Sequence, residues 1–141
     1  MVFVGAGIKI GTNEYLEILE ASLLPWIESN FGLNNIVLVQ DSAPAHQSRK
    51  TQQFLANKIL FVKAEVWPSN SPDLNVLDYY LWGVLQQQVN KSSHSSIDSL
   101  KRTIKRELKK IPKDDVVAAC KKFHSRIEAV IRADGGHIEQ N

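Results

Sequence analysis

Two aspartates stand where this sequence turns from apolar to polar. Asp41 ends the run IVLVQD and opens a Ser-Ala-Pro-Ala-His turn, and Asp78 follows SPDLNVL at the head of an amphipathic stretch; 36 residues, 42 to 77, separate them. A carboxylate at the end of a buried strand has to be hydrogen-bonded, salt-bridged or bound to a cation, because leaving the charge unpaired there is costly. If both acids are aimed at one point, they make a hard-oxygen site for a divalent cation such as Mg²⁺. Each also has a simpler explanation. Asp41 can cap its own loop in an Asx-type turn, and Asp78, like Asp73 nearby, can be an acid favoured by the positive end of a helix dipole.

Hydrophobic spacing outlines the elements that must carry these acids. VFVGAGIKI (2–10) reads as a short strand interrupted by Gly5 and Gly7. Tyr15, Ile18, Leu19, Leu23, Trp26 and Ile27 fall on one face of a helix, with Pro25 able to kink its last turn and Gly32 placed to stop it. IVLV (36–39) is apolar on both faces, as expected of a central strand covered on each side. A mostly exposed helix over 46–57 separates it from ILFV (59–62), a further short strand. WPSNSPDLN (67–75) is a loop by composition, and Leu77, Tyr80, Leu81, Val84 and Leu85 predict a helix over 75–89.

After the polar linker NKSSHSS, Ser95 and Asp98 form a capping-box signature for a helix striped by Ile97, Leu100, Ile104, Leu108 and Ile111 and stopped by Pro112. A last helix runs from about Asp114 through Val116, Cys120, Phe123, Ile127 and Val130 to a Gly135-Gly136 stop. The order strand, helix, strand, helix, strand and then three helices predicts an α/β layer with a helical cover.

The 141 residues, 43% of them hydrophobic, suit one compact domain with a real core. No apolar run approaches the ~20 residues that span a bilayer, and the N-terminus lacks signal-peptide features. The expectation is a soluble intracellular protein without a membrane partner. The single cysteine, Cys120, rules out an internal disulfide and a cysteine metal cluster, and its apolar context predicts a small buried side chain. A net charge of +2 does not identify a nucleic-acid binder, but from 101 to 132 there are eleven basic residues against four acidic ones. Lys101, Arg102, Lys105, Arg106 and Lys109 line one side of a helix. Such a ridge can neutralise DNA phosphates without reading sequence, and a solvated helix surface explains it equally well.

QDSAPAH followed by SPDLNVLDYYLWGVL, with a WP pair just before, closely resembles the catalytic core of the mariner-like transposases. The similarity extends over nearly the whole chain, from VFVGAGIKI and YLEILEASLLPW to SIDSLKRTIKRELKKIP and the terminal IRADGGHIE. The resemblance implies an RNase H-like α/β fold in truncated form: a small mixed sheet with helices on both faces and a C-terminal helical cover. It implies a three-carboxylate site holding Mg²⁺ or Mn²⁺ for in-line displacement at a DNA phosphate, and a nuclear location. Asp41 matches the family's second acid and Asp78 its third. His46 matches the histidine of the A-P-x-H motif, either as a helix-start or loop-packing group or with a role near substrate. Val76 stands where the family usually has Pro.

The family's first acid lies on a strand upstream of VFV, and no residue here matches it. The expectation is therefore an incomplete triad of Asp41 and Asp78, weak and badly oriented as a cation site. Core strands without their neighbours expose edges, so the remaining strands should pair directly, or a second copy or another protein should complete the sheet. Two functions compete: a transposase-derived domain that no longer cuts and acts by binding DNA or a protein partner, and a fragment of an active transposase. An unrelated small α/β domain with structural acids is a third.

Overall fold

The computed structural model describes residues 1–5 and 7–138. Ala6, inside VFVGAGIKI, and Glu139, which ends IRADGGHIE, lie outside the described residues. The chain divides into two compact units, Met1–Asn70 and Ser71–Asn141.

The first unit is built around one long helical segment. Helix α1 (Thr12–Ile18) passes through a π turn (Leu19–Leu23) into α2 (Leu24–Asn30), which ends at Gly32 with φ 76°. The π turn sits just before Pro25, whose ring and missing N–H disturb the regular α ladder. It also adds a residue to the repeat, and this corrects the expected stripe. Leu19, Leu24 and Ile27 are buried, whereas Trp26 is rotated out to solvent and packs edge-on against Phe31.

Strand β1 (Val37–Leu38) pairs in parallel with β2 (Leu60–Phe61), with Val37 opposite Leu60 and Leu38 opposite Phe61. IVLV thus pairs with ILFV, while no pairing of IVLV with the described residues of VFVGAGIKI forms. Between them lie a short helix α3 (Pro44–Gln47) and α4 (Arg49–Ala56). Ser48 caps α4 by accepting from Thr51 N, and Thr51 Oγ1 donates to Ala45 O at 2.7 Å, so one buried threonine joins the two helices. Leu55 and Ile59 complete the core with Leu19, Leu24 and Ile27, and Leu38 and Phe61 pack onto it.

Two expectations fail here. Among the described residues of 2–10 there is no strand: Ile8 N donates a turn bond to Gly5 O, and Val2, Ile8 and Ile10 are exposed. Apolar alternation makes a strand only where a neighbouring strand supplies partners. The sheet is also not covered on each side, since Val37 and Leu60, paired across the ladder, are 58% and 60% exposed.

The second unit is helical. A 3₁₀ turn (Pro72–Leu74) leads into a π turn (Leu77–Leu81) and α5 (Trp82–Val89). Helix α5 packs against α6 (Ile97–Leu108), and α7 (Lys113–Lys121) and α8 (Phe123–Arg132) follow. The cap of α6 is Ser96, accepting from Ser99 N, one residue later than the expected Ser95. Thr103 and Glu107 are the most buried side of α6, while Ile97 is exposed. The expected last helix is broken at Lys122. Cys120 is exposed, against expectation, because Ala119 takes the inward position and the next residue of a helix lies about 100° around.

Candidate functional site

Asp41 does not sit on the ladder itself. The paired strand ends at Leu38, and Asp41 lies three residues beyond it, on the chain leaving the C-terminal end of a parallel strand. Groups at this position face the crevice where open α/β sheets bind ligands. The Asp41 side chain is 49% exposed, and its Oδ1 accepts two hydrogen bonds: from Ala43 N at 3.0 Å and from His46 Nδ1 at 2.6 Å. The first of these is the Asx turn; the second is a close pair that the sequence showed only as proximity. Pro44 begins the turn of helix that carries His46 round towards Asp41.

His46 is held from three sides. Its ring lies 4.4 Å from that of Tyr15 at 45°, its carbonyl accepts from Gln52 Nε2 at 2.9 Å, and Nδ1 faces Asp41. Gln52 Oε1 also accepts from Ala64 N, which ties the loop after β2 to the same corner. Gln40 Nε2 donates to the Tyr15 hydroxyl. Burial pushes the Tyr15 phenol up to about 12; the Gln40 bond opposes this and the Asp41 charge reinforces it. Tyr15 and Gln52 are residues that motif reading misses: only the helical stripe marks Tyr15, and nothing local marks Gln52. Gln40 opens the QDSAPAH motif, which gives it no role of its own.

Asp78 occupies an exposed position on the π turn that opens the α5 segment. Asn75 builds this start: its carbonyl accepts from Asp78 N at 2.9 Å and Tyr79 N at 3.0 Å, and its side chain accepts from Leu77 N at 3.0 Å. π turns recur at functional positions within helices. Asp73, five residues earlier, has a different environment. Its carboxylate lies 3.7 Å from Arg126 Nη2, and its Oδ2 accepts from His137 Nδ1 at 3.2 Å and from Ile138 N at 3.3 Å. The helix-stop signal around Gly135, with φ 81°, turns the chain so that His137 can reach it.

On α6, Arg102, Lys105, Arg106 and Lys109 are exposed and Lys101 is half-buried at the edge of the ridge. Arg106 is also committed: its Nε donates to Glu107 Oε1 at 2.7 Å, and Lys110 Nζ donates to the same oxygen at 3.1 Å. These two bonds hold the Glu107 carboxyl below the usual glutamate range.

Among the described residues no three His, Cys, Asp or Glu side chains come together as a metal cluster. The donor chemistry nonetheless suits a hard divalent cation. Asp41 offers an exposed carboxylate, and the residues beside it in the chain carry buried oxygens without a hydrogen-bond partner among the described residues, Gln40 Oε1 and Ser42 Oγ. Native structures seldom leave such atoms unsatisfied.

A parallel strand pair with an acid past its end places this chain among α/β proteins whose chemistry gathers at strand C-termini. It belongs to the DDE superfamily endonuclease family, whose model matches residues 10–101, well over half of the chain and both acids. The chain is 27% identical over 132 residues to the transposable element Tc3 transposase of Caenorhabditis elegans, covering 92% of this chain and 39% of the relative. It is 30% identical over 122 residues to the Tc1 transposase of the same organism, covering 86% and 43%. The chain thus spans about two fifths of the length of these curated relatives. Among solved structures, the catalytic domain of Mos1 mariner transposase matches with a TM-score of 0.76 at 20% identity, over 94% of this chain and 66% of that one. A structure of the same domain with raltegravir and Mg gives 0.75. The fold is the RNase H-like α/β fold of the mariner transposase catalytic domain, matched over about two thirds of that domain.

Proposed function

We propose that this chain is a transposase-derived nuclear domain that, as it stands, binds DNA or a protein partner without cutting. Asp41, in the first unit, and Asp78, in the second, are each read as a carboxylate for Mg²⁺ or Mn²⁺, a reading supported by the family match that runs through both acids. The observation that carries this reading is the fixed, exposed carboxylate of Asp41 beyond the end of β1, with Oδ1 already engaged by Ala43 N and His46. A cation there must compete with His46 or use the other oxygen, so Asp41 by itself holds it weakly. When bound, such an ion supplies activation of an attacking oxygen and stabilisation of a leaving one at a phosphate. The chain's own part is to aim Asp41 through His46, itself seated against Tyr15.

Binding draws on two features. The exposed cations of α6 can meet phosphates. The exposed apolar pair Val37 and Leu60 on a two-stranded ladder suits completion of the sheet, in a homodimer or by another protein. A second reading, a fragment of an active DNA-cleaving transposase, is favoured by the family match running through both acids. The test is cleavage of plasmid DNA in Mg²⁺ or Mn²⁺ by this chain and by the Asp41→Ala, Asp78→Ala double variant. No metal-dependent nicking is expected from either. Nicking by the parent that disappears in the double variant establishes the second reading instead.

A further inference from the structure

We infer that Arg126 is a positioning residue for Asp78, an assignment that rests on reading Asp78 as a metal-facing carboxylate. Asp78 lies on a π turn, a wide form of helix that Asn75 starts from its N-terminal side. Arg126, on α8, grips the chain on both sides of it. Upstream, its Nε donates to the backbone carbonyl of Asp73 at 2.5 Å, and its Nη2 lies 3.7 Å from that residue's carboxylate. Downstream, its guanidinium carbon stands 4.3 Å from the ring centroid of Tyr79, the residue directly after Asp78. The Tyr79 hydroxyl in turn donates to Ala119 O at 2.8 Å, so the ring that receives the cation is itself fixed.

One planar cation thereby sets the turn before Asp78 and the side chain after it. The side chains of Arg126 and Asp73 are only 15% and 17% exposed, which keeps water from competing for the grip. A lysine carries the same charge but lacks the fork that serves a carbonyl and a carboxylate while its flat face rests on a ring. The far end of Asp73 is occupied by His137 Nδ1 and Ile138 N, so its carboxylate cannot swing away from Arg126 without breaking both contacts.

The test uses the full chain, with Arg126→Met and Arg126→Lys beside the parent, and amide-resolved NMR. In metal-free protein, both variants should lose hydrogen-exchange protection at residues 77–80 while α5 and α6 keep theirs. With Mn²⁺ as the probe, broadening centred on the Asp78 and Tyr79 amides should need roughly tenfold more ion in both variants, the loss typical of removing a group that orients a ligand. Asp78→Ala should abolish that broadening. Unchanged protection in both variants overturns the assignment, and so does a loss spread evenly over α5, α6 and α8, which marks Arg126 as a general stabiliser. If the parent shows no Mn²⁺ broadening at Asp78 while the local loss of protection is seen, the metal reading of Asp78 falls and the grip of Arg126 on its backbone stands.

Discussion

Replacing Asp41 by alanine separates a carboxylate kept only for a ligand from one that also builds its loop. A carboxylate poised for a cation usually destabilises the protein that carries it, so its removal is neutral or stabilising. The geometry here demands the opposite. Asp41 Oδ1 accepts from Ala43 N at 3.0 Å, a turn bond worth about 1 kcal/mol. It also accepts from His46 Nδ1 at 2.6 Å, where the half-exposed acid limits the pair to about 0.2–1 kcal/mol. Asp41→Ala should therefore cost about 1–2 kcal/mol and lower the melting temperature by about 3–6 °C. Thermal and urea unfolding of Asp41→Ala, His46→Ala and the double variant form a cycle, and its coupling should be about 0.5–1 kcal/mol. Melting of Asp41→Ala at or above the parent, or a coupling of zero, would refute the claim that this pair orients the acid.

The Tyr15 phenol, raised to about 12 chiefly by burial, is kept neutral by the fold. Its contribution is fully present below the unfolded value near 10 and is lost as pH rises through 12. After allowance for partial solvent screening it amounts to about 1 kcal/mol, and Tyr15→Phe should flatten that alkaline loss in urea titrations. Leu55, fully buried between the long helical segment and the sheet, should cost about 2–5 kcal/mol when truncated to alanine, measured by chemical denaturation. If the α6 ridge meets DNA, the Lys105→Glu, Lys109→Glu variant should bind more weakly with a salt slope smaller by about 2, and a fluorescence-anisotropy titration showing no change removes the ridge from the interface.

Among the described residues, local periodicity finds the α-helical regions but merges α3 with α4 and α7 with α8, and it misjudges which residues face inward wherever the helix is irregular. Trp26 was assigned to the core because a regular α repeat places it there, and the π turn at Leu19–Leu23 shifts the count by one. Ser95 and Ser96 offer the same hydroxyl, and only the position of Ser99 N selects between them. Cys120 and Ala119 are both small enough for the inward place, and the smaller residue takes it. VFVGAGIKI carries a strand pattern, yet its described residues form no strand, since a ladder is a long-range agreement between segments and no single segment encodes it.

The same distinction divides the site. Asp41 and His46 are five residues apart, and one turn of helix begun by Pro44 suffices to close them, so that pairing is local and a motif can announce it. Arg126 and Asp73 are 53 residues apart, and their contact depends on where α8 lies against the turn at Pro72–Leu74. SPDLNVLD consequently holds two aspartates that look alike in sequence and do opposite work. Asp73 is largely buried and takes its partners from α8 and the chain that follows it, while Asp78 is exposed on an irregular turn. The motif thus pairs a largely buried acid that braces the loop with an exposed acid on the turn that follows it.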